Sequence, residues 1–203
     1  MSNQSLNPRS ILEPALQDLA SLPVDPDFDV TIQETPFQGQ FVLRSLDTLK
    51  DLNEALEPVT GITLTNKPNR TESQDNIKCF WLRERQWLIV TPPDKRAEIF
   101  KDIETALAGK DSSIVDISGG QTMISLVGTK SLETLKKGCP LDIHPSVFKK
   151  DAMALTRVQH ADVLLHRADR EKYDLYIRKS FAEYLLRWLH DGALEYGVKV
   201  EQP

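Results

Sequence analysis

The sequence predicts an α+β fold, antiparallel sheets with helices packed on one face. Three observations lead there. Short apolar runs bounded by Gly, Pro, Asn and charged residues read as strands, whereas other segments place apolar residues three and four apart, as helices do. The order strand, strand, helix recurs after residues 78, 112 and 153, with an extra strand in the last unit and no exact repeat of the sequence. Hairpins alternating with single helices disfavour a doubly wound parallel sheet, whose strands need long crossovers.

Residues 1–36 hold Pro8, Pro14, Pro23, Pro26 and Pro36 around the apolar positions Ile11, Leu12, Leu16, Leu19 and Leu22. This pattern predicts an extended N-terminal arm with one helical turn, lying on the rest of the chain or on a partner. Residues 37–203 are then a single compact α+β domain. Within it FVLRS is a strand, and Asp47 is placed to cap a helix bearing Leu49, Leu52, Leu56 and Val59, with Gly61 as its stop. The polar stretch 67–76, KPNRTESQDN, has nothing to bury and reads as a loop. CFWLR and QWLIVT flank Glu84-Arg85 as a hairpin. Pro92-Pro93 then opens a helix with Ile99, Phe100, Ile103 and Leu107 on one face, closed by Gly109.

SIVDIS and QTMISLV form a second predicted hairpin through Gly119-Gly120, a dipeptide suited to tight turns. A helix follows, capped by Thr129, turning Leu132 and Leu135 inward and ending at Gly138. ALTRVQ, ADVLLHRA and YDLYIR are three further strands. Residues 180–196 give the strongest helical pattern: Ser180 with Glu183 has the form of a capping box, and Phe181, Leu185, Trp188, Leu189 and Ala193 make an apolar stripe before Gly197.

The 203 residues carry a net charge of −5 with no long basic run, which lacks the electrostatic footprint of nucleic-acid or anionic-membrane binding. A hydrophobic share of 40%, a charged share of 27% and a mean hydropathy of −0.36 are those of a soluble globular chain. With no apolar run long enough to cross a bilayer and no apolar core in the first residues, the expected location is cytoplasmic. The two cysteines, Cys79 and Cys139, are then reduced thiols, Cys79 as core filler.

Chemistry-bearing motifs are sparse. Gly119-Gly120 fits neither phosphate-binding glycine pattern and reads as a turn. The four histidines, His144, His160, His166 and His190, lack metal-ligand spacing, and Cys139 has no second cysteine nearby. Cys139 and His144 could form a thiolate and base, but Pro140 and the short separation argue against it. Asp116 and Asp142 border apolar segments where burial would shift a carboxyl, or they simply cap turns. Arg167, Arg170 and Lys172 around Asp169 read as an exposed hairpin tip. Trp81, Trp87 and Trp188 stand in periodic apolar segments, as core residues first and interface residues second.

At GGQTMISLVGTKSLETLKKGCPLDIHPSVF and RKSFAEYLLRWLHDGALEYG, and more loosely at CFWLRERQWLIVTP, the sequence resembles the gamma subunits of heterotetrameric sarcosine oxidases. The resemblance spans about residues 40–197 and rests on Gly128, on Gly138 through Asp142 with His144 and Pro145, and on Ser180-Phe181-Ala182 with Leu185, Trp188 and Leu189. It implies a fold similar to the folate-binding domain of the glycine cleavage T-protein. It also implies a complex whose alpha subunit binds NAD and tetrahydrofolate, whose beta subunit holds FAD and FMN, and whose delta subunit binds zinc. That complex converts sarcosine to glycine, producing hydrogen peroxide and a one-carbon unit captured by tetrahydrofolate. The gamma chain would be a structural and assembly subunit with no catalytic, cofactor-binding or metal residue of its own. Two other readings follow from the same resemblance: a small folate-dependent aminomethyltransferase-like protein using Asp116 or Asp142, or the equivalent subunit of an N-methylglutamate dehydrogenase.

Overall fold

The computed structural model describes residues 9–202, so the first eight positions of the predicted arm lie outside the described residues. Two sheets pack face to face, and each carries helices on its other face. The first, in the order β11-β1-β7-β10-β9-β8, comprises β11 (Val198–Glu201), β1 (Val30–Thr35), β7 (Gln121–Val127), β10 (Lys172–Arg178), β9 (Ala161–Asp169) and β8 (Met153–Val158). The second, in the order β3-β4-β5-β2-β6, comprises β3 (Thr71–Gln74), β4 (Ile77–Arg83), β5 (Gln86–Thr91), β2 (Gly39–Ser45) and β6 (Ser112–Asp116). Neighbours run antiparallel except β1 and β11, which are parallel.

Alternation along the strands sorts side chains into three cores. Val30, Ile32, Ile124, Leu126, Leu165 and Leu175 meet α1 (Glu13–Ala20), α4 (Ser131–Lys136) and α5 (Lys179–Ala193) on the outer face of the first sheet. Phe41, Leu43, Cys79, Trp87 and Ile89 meet α2 (Leu49–Thr60) and α3 (Arg96–Ala106) on the outer face of the second. Between the sheets lie Phe80, Leu88 and Val90 from one and Met123, Met153, Leu164 and Tyr176 from the other. Each fully buried leucine of α5 contributes roughly 2 kcal/mol of apolar transfer; Leu185, Leu186 and Leu189 anchor that helix.

The predicted hairpin of β4 and β5 forms, with Trp81 opposite Trp87, and β8, β9 and β10 form as predicted. The predicted arm is corrected. Residues 13–20 form α1, with Pro14 in its first turn where a missing N–H costs nothing. Residues 30–35 form β1 inside the larger sheet, and Leu12 and Leu16 are fully buried. The boundary drawn after residue 36 thus falls between β1 and β2, whose sheets share a core. Local pattern misses this because β1 takes its partners from residues 123–127 and 198–201.

The second predicted hairpin does not form. β6 joins the smaller sheet beside β2 and β7 joins the larger one, and the chain crosses between them through a tight 3-10 turn at Ser118–Gly120. Ser118 fixes the crossing: its hydroxyl accepts from the Gln40 N–H at 2.8 Å. Part of the loop predicted at 67–76 is the edge strand β3, whose polar side chains suit a strand open to solvent. It reverses at Asp75-Asn76, both at positive φ.

Caps also move. Thr48, not Asp47, caps α2 by accepting from the Asp51 N–H, while Asp47 accepts from the Ser112 hydroxyl at 2.7 Å. Thr129 donates to Asp29 instead of capping α4. The capping box at Ser180 is absent because β10 runs directly into α5, which already starts at Lys179, and Glu183 instead accepts from Arg187 at 2.9 Å. Phe181 lies outside the apolar stripe, exposed on the outer side of the helix. Gly128, just after β7, has φ 128°, and any Cβ there would overlap the carbonyl oxygen of Asp29.

Candidate functional site

Strand register places three successive rungs of side chains on the inner face of the larger sheet. The first is Met153, His166, Asp174 and Ser125; the second is Leu155, Leu164, Tyr176 and Met123. On the third, Arg157 pairs with Asp162 across β8 and β9, and Arg178 pairs with Gln121 across β10 and β7. The inner space therefore runs from a buried polar rung, through an apolar one, to a charged one.

Asp174 is fully buried and is the hub of the first rung. Its Oδ1 accepts from the Ser125 hydroxyl at 2.7 Å, and its Oδ2 accepts from Lys78 Nζ at 2.8 Å, a lysine that reaches across from β4 of the other sheet. His166 Nδ1 is 3.6 Å from Oδ2, too long for a hydrogen bond. Burial pushes the Asp174 carboxyl up, but His166, Lys78 and Ser125 outweigh it and hold the pKa well below the ordinary carboxylate range. Burial pushes the His166 imidazole down, with Lys78 acting in the same direction and Asp174 opposing it. The Phe80 ring packs edge-on against both His166 and Tyr176 at 5.1 Å. Ser125 bonds to the carboxylate and not to the imidazole, so the group is a closed ion-pair network tying the two sheets together, without the order of a nucleophile triad.

This rung sets a pH dependence. With a folded pKa below the unfolded value of about 6.5, His166 binds fewer protons in the folded chain than in the unfolded one. Stability then falls as pH drops through that window, with a slope of up to about 1.4 kcal/mol per pH unit. His190 is lowered by burial as well, with the same sign. Urea unfolding at pH 7.5 and 5.5 is expected to show a smaller acid loss for His166→Gln than for the parent; equal losses would place the titration elsewhere.

The residues singled out from sequence lie apart from this rung. Asp116 ends β6, where burial raises its pKa but hydrogen bonds from Ser118 and Arg96 prevail and lower it. Asp142 accepts from the backbone N–H of His144, and His144 Nδ1 lies 2.7 Å from the Ser146 hydroxyl. Cys139 is buried in the core under α5, whereas His144 is exposed, and no hydrogen bond joins them. Cys79 is buried, and burial followed by the charge of Glu72 raises its thiol pKa far above the ordinary value. Gly119 and Gly120 lie in the crossing turn. Trp87 Nε1 donates to the Thr65 carbonyl, and Trp188 packs against the backbone at Gly138. Arg167 is corrected: it is buried, donating to the Phe148 and Arg170 carbonyls, while Asp169 stays exposed. Among the described residues no three His, Cys, Asp or Glu side chains are grouped to hold a metal ion. Among the described residues no helix is long and apolar enough to cross a membrane.

Sequence reasoning missed Lys78, Ser125 and Asp174. The available signal was a charged residue inside an apolar strand, Asp174 in YDLYIR and Lys78 in IKCFWL, since a buried charge requires a partner.

Comparison with known proteins matches residues 58–195 to the family model "Sarcosine oxidase, gamma subunit family". The sarcosine oxidase subunit gamma of Corynebacterium sp. (strain U-96) is 25% identical over 170 residues, covering 83% of this chain and 82% of that one. Its counterpart from Arthrobacter sp. is 27% identical over 168 residues, covering 82% and 81%. Among solved structures, a chain of the heterotetrameric sarcosine oxidase from Corynebacterium sp. U-96, in complex with pyrrole 2-carboxylate, superposes with a TM-score of 0.83 at 24% identity, covering 93% of this chain and 96% of that one. Glycine cleavage system aminomethyltransferase T from Bartonella henselae superposes at 0.64 and 13% identity, covering 95% of this chain and 50% of that one. The α+β fold expected from the sequence, with its likeness to the T-protein, is borne out by both.

Proposed function

This chain belongs to the sarcosine oxidase gamma subunit family, and from that membership we propose that it is a non-catalytic structural and assembly subunit of a heterotetrameric sarcosine oxidase. The family match over residues 58–195 carries this reading. It is supported by the engagement of the chain's own reactive groups: Asp174 is locked between Lys78 and Ser125, Asp116 is held by Arg96 and Ser118, and Cys139 is buried. Exposed apolar side chains add further support, notably Phe181 and Tyr184 on α5 and Val147 ahead of β8.

In this reading the complex oxidatively demethylates sarcosine to glycine, yields hydrogen peroxide and passes the one-carbon unit to tetrahydrofolate. FAD, FMN, NAD, tetrahydrofolate and zinc are held by the alpha, beta and delta subunits, in the cytoplasm. The gamma chain contributes surface, through an obligate interface of about 2,000 Å² or more. Which N-methylated amino acid is oxidised is set by the flavin-bearing subunit.

Co-expression with the genes beside its own, followed by affinity capture and intact-mass analysis, tests the proposal. Flavin-bearing subunits are expected to co-purify, and omitting this chain should leave them insoluble or poorly assembled. Recovery of the chain alone as a soluble monomer, with the other subunits assembling normally without it, would refute the assembly role.

A further inference from the structure

Between the two sheets, beyond the buried Asp174 rung, lies an open cavity of about 580 Å³. That volume falls within the roughly 300–1,000 Å³ typical of small-molecule sites. Its walls are apolar on both sides: Val42, Leu82 and Leu88 from the smaller sheet face Leu155, Leu164 and Tyr176 from the larger. Leu155 on the inner face of β8 is 62% exposed, so the opposite sheet does not cover this end of the apolar rung.

The next rung gives the cavity a charged rim. Arg157 is paired with Asp162 at 3.5 Å, which leaves Arg178, in register with Gln121, as the uncompensated charge. Among the described residues Arg178 makes no ion pair and no side-chain hydrogen bond. A second observation is independent of the charges. Tyr176 lines the cavity at 2% exposure, and its hydroxyl is buried without a hydrogen-bond partner.

We propose that this cavity is a binding site for a small amphiphilic carboxylate, its apolar body between the sheets and its carboxylate on the Arg178 guanidinium. A planar guanidinium offers two parallel donors to a carboxylate, and an apolar cleft with one convergent cation selects for an anionic head on an apolar chain. The same cleft opposes a cationic head, since Arg157 and Arg178 outnumber Asp162.

Calorimetric titration of the full chain with decanoate, and separately with decylammonium, tests this site. The parent should bind decanoate at least about tenfold more tightly than decylammonium, and Arg178→Gln should weaken decanoate by about tenfold or more. Arg85→Gln, a change to an exposed arginine of the β4–β5 turn, should leave decanoate binding unchanged. Equal binding of both amphiphiles would mean an unselective apolar face of the kind a partner subunit covers, and would overturn the proposal. So would an absence of decanoate binding, or an Arg178→Gln chain that binds as the parent does while melting at the parent's temperature.

Discussion

Replacing Asp174 with alanine is expected to cost the fold about 3–5 kcal/mol, because it strands the partners of a buried ion pair. Lys78 would keep its charge in the space between the sheets with no acceptor, and the Ser125 hydroxyl would lose the carboxylate it donates to. Lys78 retains some contact with solvent through its ammonium, so the lower part of that range is the better guide. Asp174→Asn keeps a side-chain oxygen for one of the two donors and should cost less. The urea midpoint of the three proteins checks the order: parent, then Asn, then Ala. An alanine variant within about 0.5 kcal/mol of the parent would mean that the carboxylate's desolvation already cancels its pairing. The pH behaviour separates Asp174 from His166. Because the folded pKa of Asp174 is depressed, its contribution is present above about pH 4 and is lost only as pH falls through its much lower folded value, whereas the His166 loss already begins as pH falls through its unfolded value of about 6.5.

Gly128→Ala is the second change expected to have a large effect, on the order of 3 kcal/mol or more. Its φ of 128° is a conformation that side-chain-bearing residues avoid, and a Cβ would overlap the Asp29 carbonyl, which is backbone and has no rotamer to yield. The chain passes this point between β7 and α4, with the Gly128 N–H bonded to the Glu171 carbonyl at 2.9 Å. Displacement would therefore pull on the β10 turn as well as on the entry to β1. Thermal unfolding of the purified variant measures the loss. Gly120→Ala, at a glycine with open space around it and no positive φ, should change stability little and serves as the comparison.

Elements were legible in the sequence where a local period and a local stop agreed. α2 shows Leu52 and Leu56 a turn apart and ends at Gly61, in the left-handed conformation at φ 68°. β4 and β5 are apolar runs around a two-residue turn, and Leu185, Leu189 and Ala193 outline α5 without any tertiary information. Legibility failed where pairing is distant. β1 alternates correctly, but its neighbours lie about 90 and 170 residues onward, so the proline-rich surroundings dominated the reading. β6 and β7 follow each other as hairpin strands do, and only the crossing at Ser118 sends them to different sheets. The polar rung was hidden for the same reason. Lys78 and Asp174 are 96 positions apart, and nothing near either residue names the other. The charged third rung and the cavity beneath it likewise require the register of four strands.

The parallel pairing of β1 with β11 has a consequence for how the protein is made. A ribosome delivers β1 early and its antiparallel neighbour β7 next, but the other side of β1 stays uncovered until Val198–Glu201 has been translated. For most of synthesis that strand presents an open row of amide and carbonyl groups, a template for stray pairing between nascent chains. Completion of this sheet is thus a late, long-range closure, and a stalled or prematurely terminated product would differ from the finished one chiefly in stickiness.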